Sequence, residues 1–347
     1  LALLTYPAAA VIPEGSTQTG RSWRDGAVGT GPFRVTRFEP GLHLELERNP
    51  GYWRDGYPRS RKLEFSFGIS PQEIMSGFRA GRFSLAGDLY PSDVEALRRE
   101  PRFATGYREA PRLSTYHAAL NLHRGPLTDV TLRRKLVRAI NVEKLVSQTL
   151  GQIADPSHGL IPPGLLGYEP GHRAALFAEP RQDRRESPAQ NELTAAVHPV
   201  FARELAGLYD GIVASFRKIG VNIRQMTETM DEFTAAVQQS AVDLVLARWI
   251  ADYADADAFA HVLHTREGLY GPICGTAEVD DLIEKGCTET DPEARHSIYR
   301  QIEEVLARES CLLPLFHEQD YRFARPEIEG LSISYCFSYD TLKVRDQ

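Results

Sequence analysis

Apolar residues recur along the chain with two periods. Leu42, Leu44 and Leu46 alternate with His43, Glu45 and Glu47, the period of a half-exposed strand. Gly29-Thr30-Gly31-Pro32 before Phe33, and Pro40-Gly41 further on, are turn signals, so 33–47 predicts a β-hairpin. Leu63, Phe65 and Phe67 alternate as a further strand, and Phe83 to Leu89 predicts a short one. Ser70-Pro71-Gln72-Glu73 predicts a helix with Ser70 as N-cap and Pro71 at the first helical position. Ser92-Asp93-Val94-Glu95 starts another, which stops before Pro101. Leu205, Leu208, Ile212 and Phe216 fall at helical spacing, closed by Gly220, and Val221 and Ile223 then alternate. Val279, Leu282 and Ile283 mark one late helix; Ile298, Ile302, Val305 and Leu306 mark another, opening at Asp291-Pro292-Glu293. Strands alternating with helices define the α/β class.

The run from Asp243 to Phe259 organises this pattern. It opens on Leu244, Val245, Leu246 and Ala247, the continuous apolar run of a buried strand. Trp249 and three acids, Asp252, Asp255 and Asp257, follow. A strand ending in an aromatic and a carboxylate places both at a sheet edge, where α/β proteins bind ligands. Trp offers an apolar face and an ionised Asp accepts hydrogen bonds from a cation, so one reading is a pocket for a ligand with a positive end. The other is a strand-to-helix turn, with Asp252 or Asp255 as an N-cap and Trp249 in the core. Tyr253 fits either the ligand-facing set or the core. Strand alternation turns Arg248 away from Trp249, as a surface or inter-helix partner. In 116–121 it separates Tyr116 and Ala118 from His117 and Ala119.

The chain has 347 residues, enough for a large core and two domains. Its net charge of −7 argues against broad nucleic-acid binding. The short basic runs, Arg133-Arg134-Lys135 and Arg184-Arg185, are interleaved with acids and read as solvated faces or loops. Glu303, Glu304, His317 and Glu318 read as surface polar residues. There is no apolar run of transmembrane length. The start at Leu1, without an initiator Met, reads as the interior of a longer protein.

The four cysteines, Cys274, Cys287, Cys311 and Cys336, match no zinc spacing. Isolated thiols are one reading and a Cys274–Cys287 pair another. No metal site, cofactor site or catalytic constellation emerges: there is no Gly-x-Ser-x-Gly elbow, and His261 and His264 lack a His-Glu-x-x-His setting. Gly29-Thr30-Gly31 lacks the Lys-Ser/Thr of a phosphate loop.

Several motifs, in fixed order, carry a resemblance. They are Gly29-Thr30-Gly31-Pro32-Phe33; Leu46-Glu47-Arg48-Asn49-Pro50-Gly51-Tyr52-Trp53; Tyr116-His117-Ala118-Ala119-Leu120-Asn121; Pro126 to Arg133 with Asn141 to Leu145; Ile161-Pro162-Pro163-Gly164; Lys218-Ile219-Gly220-Val221 before Trp249 and Asp252; and Leu313-Pro314-Leu315-Phe316. Together they resemble the family 5 extracellular solute-binding proteins, the oligopeptide-, dipeptide- and nickel-binding subunits of ABC importers. The resemblance spans the chain apart from 169–191, where arginines and prolines predict a polar loop.

The resemblance implies a two-lobed α/β fold of the type II periplasmic-binding-protein kind. Lobe one, incomplete for want of an N-terminal part, would take 1–115 and a return at 315–347; lobe two would take 116–314. Tyr116–Leu122 and Leu313–Arg322 are expected to run as neighbouring strands. It further implies non-catalytic binding of a peptide or similar small solute between the lobes, hinge closure, and docking on a membrane ABC permease outside the cytoplasm. Trp249 and Asp252, with Tyr116 and Tyr253, are the expected ligand-binding residues, the carboxylate pairing with a peptide's α-ammonium. The alternative is a ligand-sensing domain fused to a DNA-binding or kinase domain, cytoplasmic in that case.

Overall fold

The computed structural model describes residues 9–11, 29–151, 154–157, 159–170, 191–333 and 337–345. The polar loop expected at 171–191, apart from Asn191, and Cys336 lie outside them. The chain divides into two compact units, 1–110 with 320–347, and 111–319.

The first unit holds the expected hairpin. Strands β1 (Phe33–Glu39) and β2 (His43–Arg48) pair antiparallel, and β3 (Lys62–Ser66) pairs β2 with Leu44 opposite Phe65 and Leu46 opposite Leu63. Alternation therefore puts these apolar side chains on one face. The helix Pro71–Ala80 starts in a capping box, Ser70 accepting from Glu73 N while the Glu73 carboxylate accepts from Ser70 N, and ends at Gly81 with φ of 85°. The strand expected at 83–89 shrinks to β4 (Leu85–Ala86), because Asp88 enters the left-handed region at φ 53° and breaks the extended run. The next helix, Pro91–Arg99, begins one residue earlier than expected, with Pro91 rather than Ser92 opening it. Strand β5 (Tyr107–Pro111) follows Gly106, where a Cβ would lie 1.9 Å from the Ala324 carbonyl oxygen. Only glycine allows that approach.

The second unit is built on a mixed sheet. Its strands are β6 (Ser114–Leu120), β7 (Ala154–Pro156), β8 (Asn191–Val197), β9 (Val221–Gln225), β10 (Leu244–Ile250) and the first part of β11 (Leu312–Ala324). The order is β11-β6-β10-β8-β9, with β7 also on β11. Strands β8, β9 and β10 are parallel, while β6 runs antiparallel to both β10 and β11. Leu312 to Phe316 pair with Ala119 to Tyr116, so these two segments are neighbours. Helices cover both faces. Tyr116, Ala118, Leu120, Leu244 and Leu246 pack with the helices Val130–Ala139, Val142–Leu150 and Ala206–Lys218. Ala119, Val245 and Ala247 pack on the other side with the helices Ala277–Thr288 and Pro292–Glu309. Burial on both faces is why 244–247 reads as an unbroken apolar run.

Three residues read as surface polar groups are buried. Arg133 is 3% exposed; its guanidinium donates to the carbonyls of Glu309 (2.8 Å), Leu127 (2.8 Å) and Thr128 (3.2 Å) and lies 3.4 Å from the Glu309 carboxylate. Glu303, 4% exposed, accepts from the backbone N–H groups of Leu160 (2.6 Å) and Ile161 (3.0 Å). His317, 1% exposed, lies between Thr115 Oγ1 (3.1 Å) and Ser157 Oγ (2.9 Å). Each satisfies buried backbone or hydroxyl groups, at least one of them far away in sequence, a role that local pattern does not display. Glu318 is half-buried, whereas Glu304 is exposed as expected.

Candidate ligand-binding site

The expected site residues sit where β10 runs out. Register places Arg248 opposite Tyr116 and Trp249 opposite Thr115. Side chains of successive strand residues leave on opposite faces, so Tyr116 and Trp249 occupy different faces of the sheet. The four residues expected together are therefore split.

Tyr116 is 2% exposed, stacked on Phe316 (4.1 Å between centroids) and edge-on to Phe201 (6.1 Å). Its ring is core, and only its hydroxyl reaches polar groups. That hydroxyl accepts from Arg248 Nη1 (3.3 Å) and donates to Glu318 Oε2 (3.4 Å), which also receives Arg112 Nη1 (3.1 Å). Burial, then the Glu318 charge, raises the Tyr116 pKa. Arg248 makes no ion pair among the described residues. His198, at the end of the neighbouring β8, has its pKa lowered by burial and then by the Arg248 charge. Arg248 thus does turn away from Trp249, but toward a second polar group at the same sheet end. Only strand pairing across more than a hundred residues reveals this, which is why the sequence left it as a surface partner.

Trp249 is half-buried against the other core, and its Nε1 donates to the Ala258 carbonyl at 2.6 Å. The turn beyond it is fixed by Asp255, not Asp252. Arg295 clasps both Asp255 oxygens (2.8 and 3.1 Å), and Asp255 Oδ1 accepts from Asp257 N (2.9 Å). Burial raises the Asp255 pKa, but the Arg295 and Asp257 hydrogen bonds outweigh it, and the net shift is downward. The short helix Asp257–Ala260 has Ala256 as N-cap, without a side-chain cap bond. The N-cap reading is thus corrected: neither Asp252 nor Asp255 occupies the cap, although Asp255 satisfies one first-turn N–H. Tyr253 is half-buried, its hydroxyl 3.3 Å from Asp257 Oδ2, and burial followed by that carboxylate pushes its pKa up to about 12. Asp252 is exposed and makes no hydrogen bond or ion pair with any described residue.

His117 lies on the Trp249 side, fully buried and edge-on to Tyr270 at 5.0 Å. Its Nδ1 faces the Thr115 carbonyl (3.3 Å), while Nε2 has no hydrogen-bond partner among the described residues. Burial pushes its pKa down to about 4, the Thr115 contact opposing only part of that. The folded value lies below the ordinary 6.5, so the unfolded chain takes up the proton first. Stability from the neutral ring is complete above about pH 6.5 and is lost as pH falls toward 4, a loss of about 3 kcal/mol. Urea unfolding at pH 7 and pH 4 is expected to show wild type losing that much more than His117→Leu. Equal losses in the two proteins would remove His117 as the titrating group.

Cys274, Cys287 and Cys311 are free thiols in this structure, which follows the reading of isolated thiols rather than a Cys274–Cys287 pair. Cys274 is buried, whereas Cys287 is exposed and donates to Asp257 Oδ1 at 3.1 Å.

The alternation of strands and helices and the mixed sheet covered on both faces define a type II periplasmic-binding-protein fold. Solved structures of this fold superpose closely. A protein from Brucella suis in complex with Fe(III)-EDTA matches with TM-score 0.79 and 21% identity, over 96% of this chain and 72% of that one. A dipeptide-binding protein from a Pseudoalteromonas species, in complex with Met-Leu, matches with TM-score 0.71 and 19% identity, over 92% and 65%. The chain belongs to the bacterial extracellular solute-binding proteins, family 5, whose model matches residues 1–269. The di/tripeptide-binding protein 2 of Pseudomonas aeruginosa is 24% identical over 92% of this chain and 61% of its own length. The chain thus spans about three fifths of the length of that curated relative.

Proposed function

We propose that this chain binds a peptide or similar small solute with a cationic end, without covalent chemistry, and hands it to an ABC permease in the membrane outside the cytoplasm. One observation carries the reading. Of two carboxylates three residues apart, Asp255 is committed to Arg295, while Asp252, three residues after a half-buried Trp249, is exposed and unpaired among the described residues. A carboxylate left without a partner next to an aromatic side chain suits an incoming ammonium group. Tyr253 braces the turn, and Tyr116 contributes its hydroxyl rather than its ring. Arg248, whose guanidinium makes its one hydrogen bond among the described residues to that hydroxyl, offers a cation to a ligand carboxylate from the other side of the strand. A peptide with both termini free has the matching pair of charges.

The test is calorimetry with Met-Leu and with its N-acetylated form, on the protein at pH 7. The free peptide is expected to bind at least tenfold more tightly and to be recovered intact. Equal affinity for the two forms, or cleavage of the peptide, would overturn the reading.

A further inference from the structure

Two buried cysteines, distant in sequence, meet at one end of the second unit's sheet. Cys274 closes the helix Gly271–Cys274 and is fully buried; Cys311 immediately precedes β11 and is 1% exposed. Both belong to the same apolar cluster. Their backbones are held on one edge of the chain that runs through β6: Leu120 N donates to the Cys311 carbonyl (2.7 Å) and Leu122 N to the Ile273 carbonyl (2.9 Å). Amides two residues apart point to the same side of a strand, about 7 Å from one another. Residues 273–274 and 311 are thereby set side by side on that edge. The Cys274 thiol has the Cys311 thiol as a neighbour, which with burial drives the Cys274 pKa well up, while each thiol also reaches a carbonyl, Cys274 Sγ that of Tyr270 (3.6 Å) and Cys311 Sγ that of Leu306 (3.8 Å). Among the described residues Cys287 has no such neighbour: its thiol faces Asp257.

We propose that Cys274 and Cys311 are a disulfide site, closed when the chain folds in contact with a disulfide oxidant. A low-molecular-weight disulfide such as oxidised glutathione supplies the chemistry. One cysteine thiolate attacks it, expelling one glutathione thiolate and leaving a mixed disulfide; the second cysteine thiolate attacks the protein sulfur of that bond and expels the other. Two protons and two electrons leave the chain, and one disulfide becomes two thiols. Burial makes the folded thiols poor nucleophiles and shields them, so the bond forms during folding, before the core closes. It joins the start of the segment holding the helices Ala277–Thr288 and Pro292–Glu309 to its end, tying down a long loop of the unfolded chain. This inference is independent of the ligand reading.

The test uses the full chain, unfolded with reductant and refolded in a glutathione redox buffer. Remaining thiols are alkylated under denaturing conditions and the protein is digested without reduction. The expected product links the Cys274 and Cys311 peptides, with Cys287 alkylated. Reduction is expected to lower the melting temperature of wild type by about 10 °C and to leave the Cys274→Ala/Cys311→Ala double variant unchanged. A Cys287→Ser variant is expected to retain the link. Alkylation of both Cys274 and Cys311, a link from either one to another cysteine, or an unchanged wild-type melting temperature on reduction would overturn the proposal.

Discussion

Asp252→Asn is expected to weaken binding of a free-amino-terminus dipeptide roughly thirtyfold to several thousandfold, about 2–5 kcal/mol, with little change in melting temperature. The substitution keeps the shape of the side chain and removes its charge, so an enclosed ammonium is left without a counter-charge. A pair that stayed in water would lose only about 0–1 kcal/mol. Stability is expected to hold because Asp252 contacts no described residue through hydrogen bonds or ion pairs and caps no helix. Asp255→Asn should behave in the opposite way, since it takes away the partner of Arg295 and loosens the turn. Calorimetry for affinity and scanning calorimetry for stability, run on both variants, separate the two roles. Unchanged affinity in Asp252→Asn would take the residue out of the site.

Glu303→Ala is expected to lower stability by about 2–4 kcal/mol, seen as a melting temperature lower by roughly 5–15 °C. The carboxylate satisfies two buried backbone N–H groups, those of Leu160 and Ile161, from a helix more than a hundred residues away. Removing it orphans both donors. The same segment is held through Thr115, whose hydroxyl donates to the Leu160 carbonyl at 2.6 Å, so the loss reaches β6. Glu304→Ala, one position along on the exposed side of the helix, is expected to stay within about 0.5 kcal/mol of wild type. Urea melts of the two variants check this, and an equal loss in both would count against a buried acceptor.

What the sequence made legible is what depends on near neighbours. The hairpin of β1 and β2, the capping box at Ser70 and Glu73, the helix opened by Asp291 and Pro292, and the apolar run of β10 each need only a few adjacent residues to be read. The α/β class followed from their order. The strand at β4 fell short because the positive φ at Asp88 has no strong local signature in an aspartate. The candidate site was half legible. Trp249, Asp252 and Tyr253 are contiguous, so the run itself brought them together. Tyr116 was joined to them through strand alternation, with a packed strand as the default, and register sets it on the opposite face with its ring in the core. Pairing of β6 with β10 decides that, and it joins residues more than a hundred apart. Arg133, Glu303 and His317 were missed for the same reason: a charged residue on a helix or strand looks solvated until its distant carbonyl, amide or hydroxyl partners are known.

The clasp of Arg295 on Asp255 has a kinetic consequence. It fixes the backbone of the turn that carries Asp252 before any ligand arrives, so little conformational freedom remains to be lost on encounter. On the proposed reading, peptides differing only in their side chains would then meet a turn already in place. They should associate at similar rates, and preference among them should be expressed in how long each one stays.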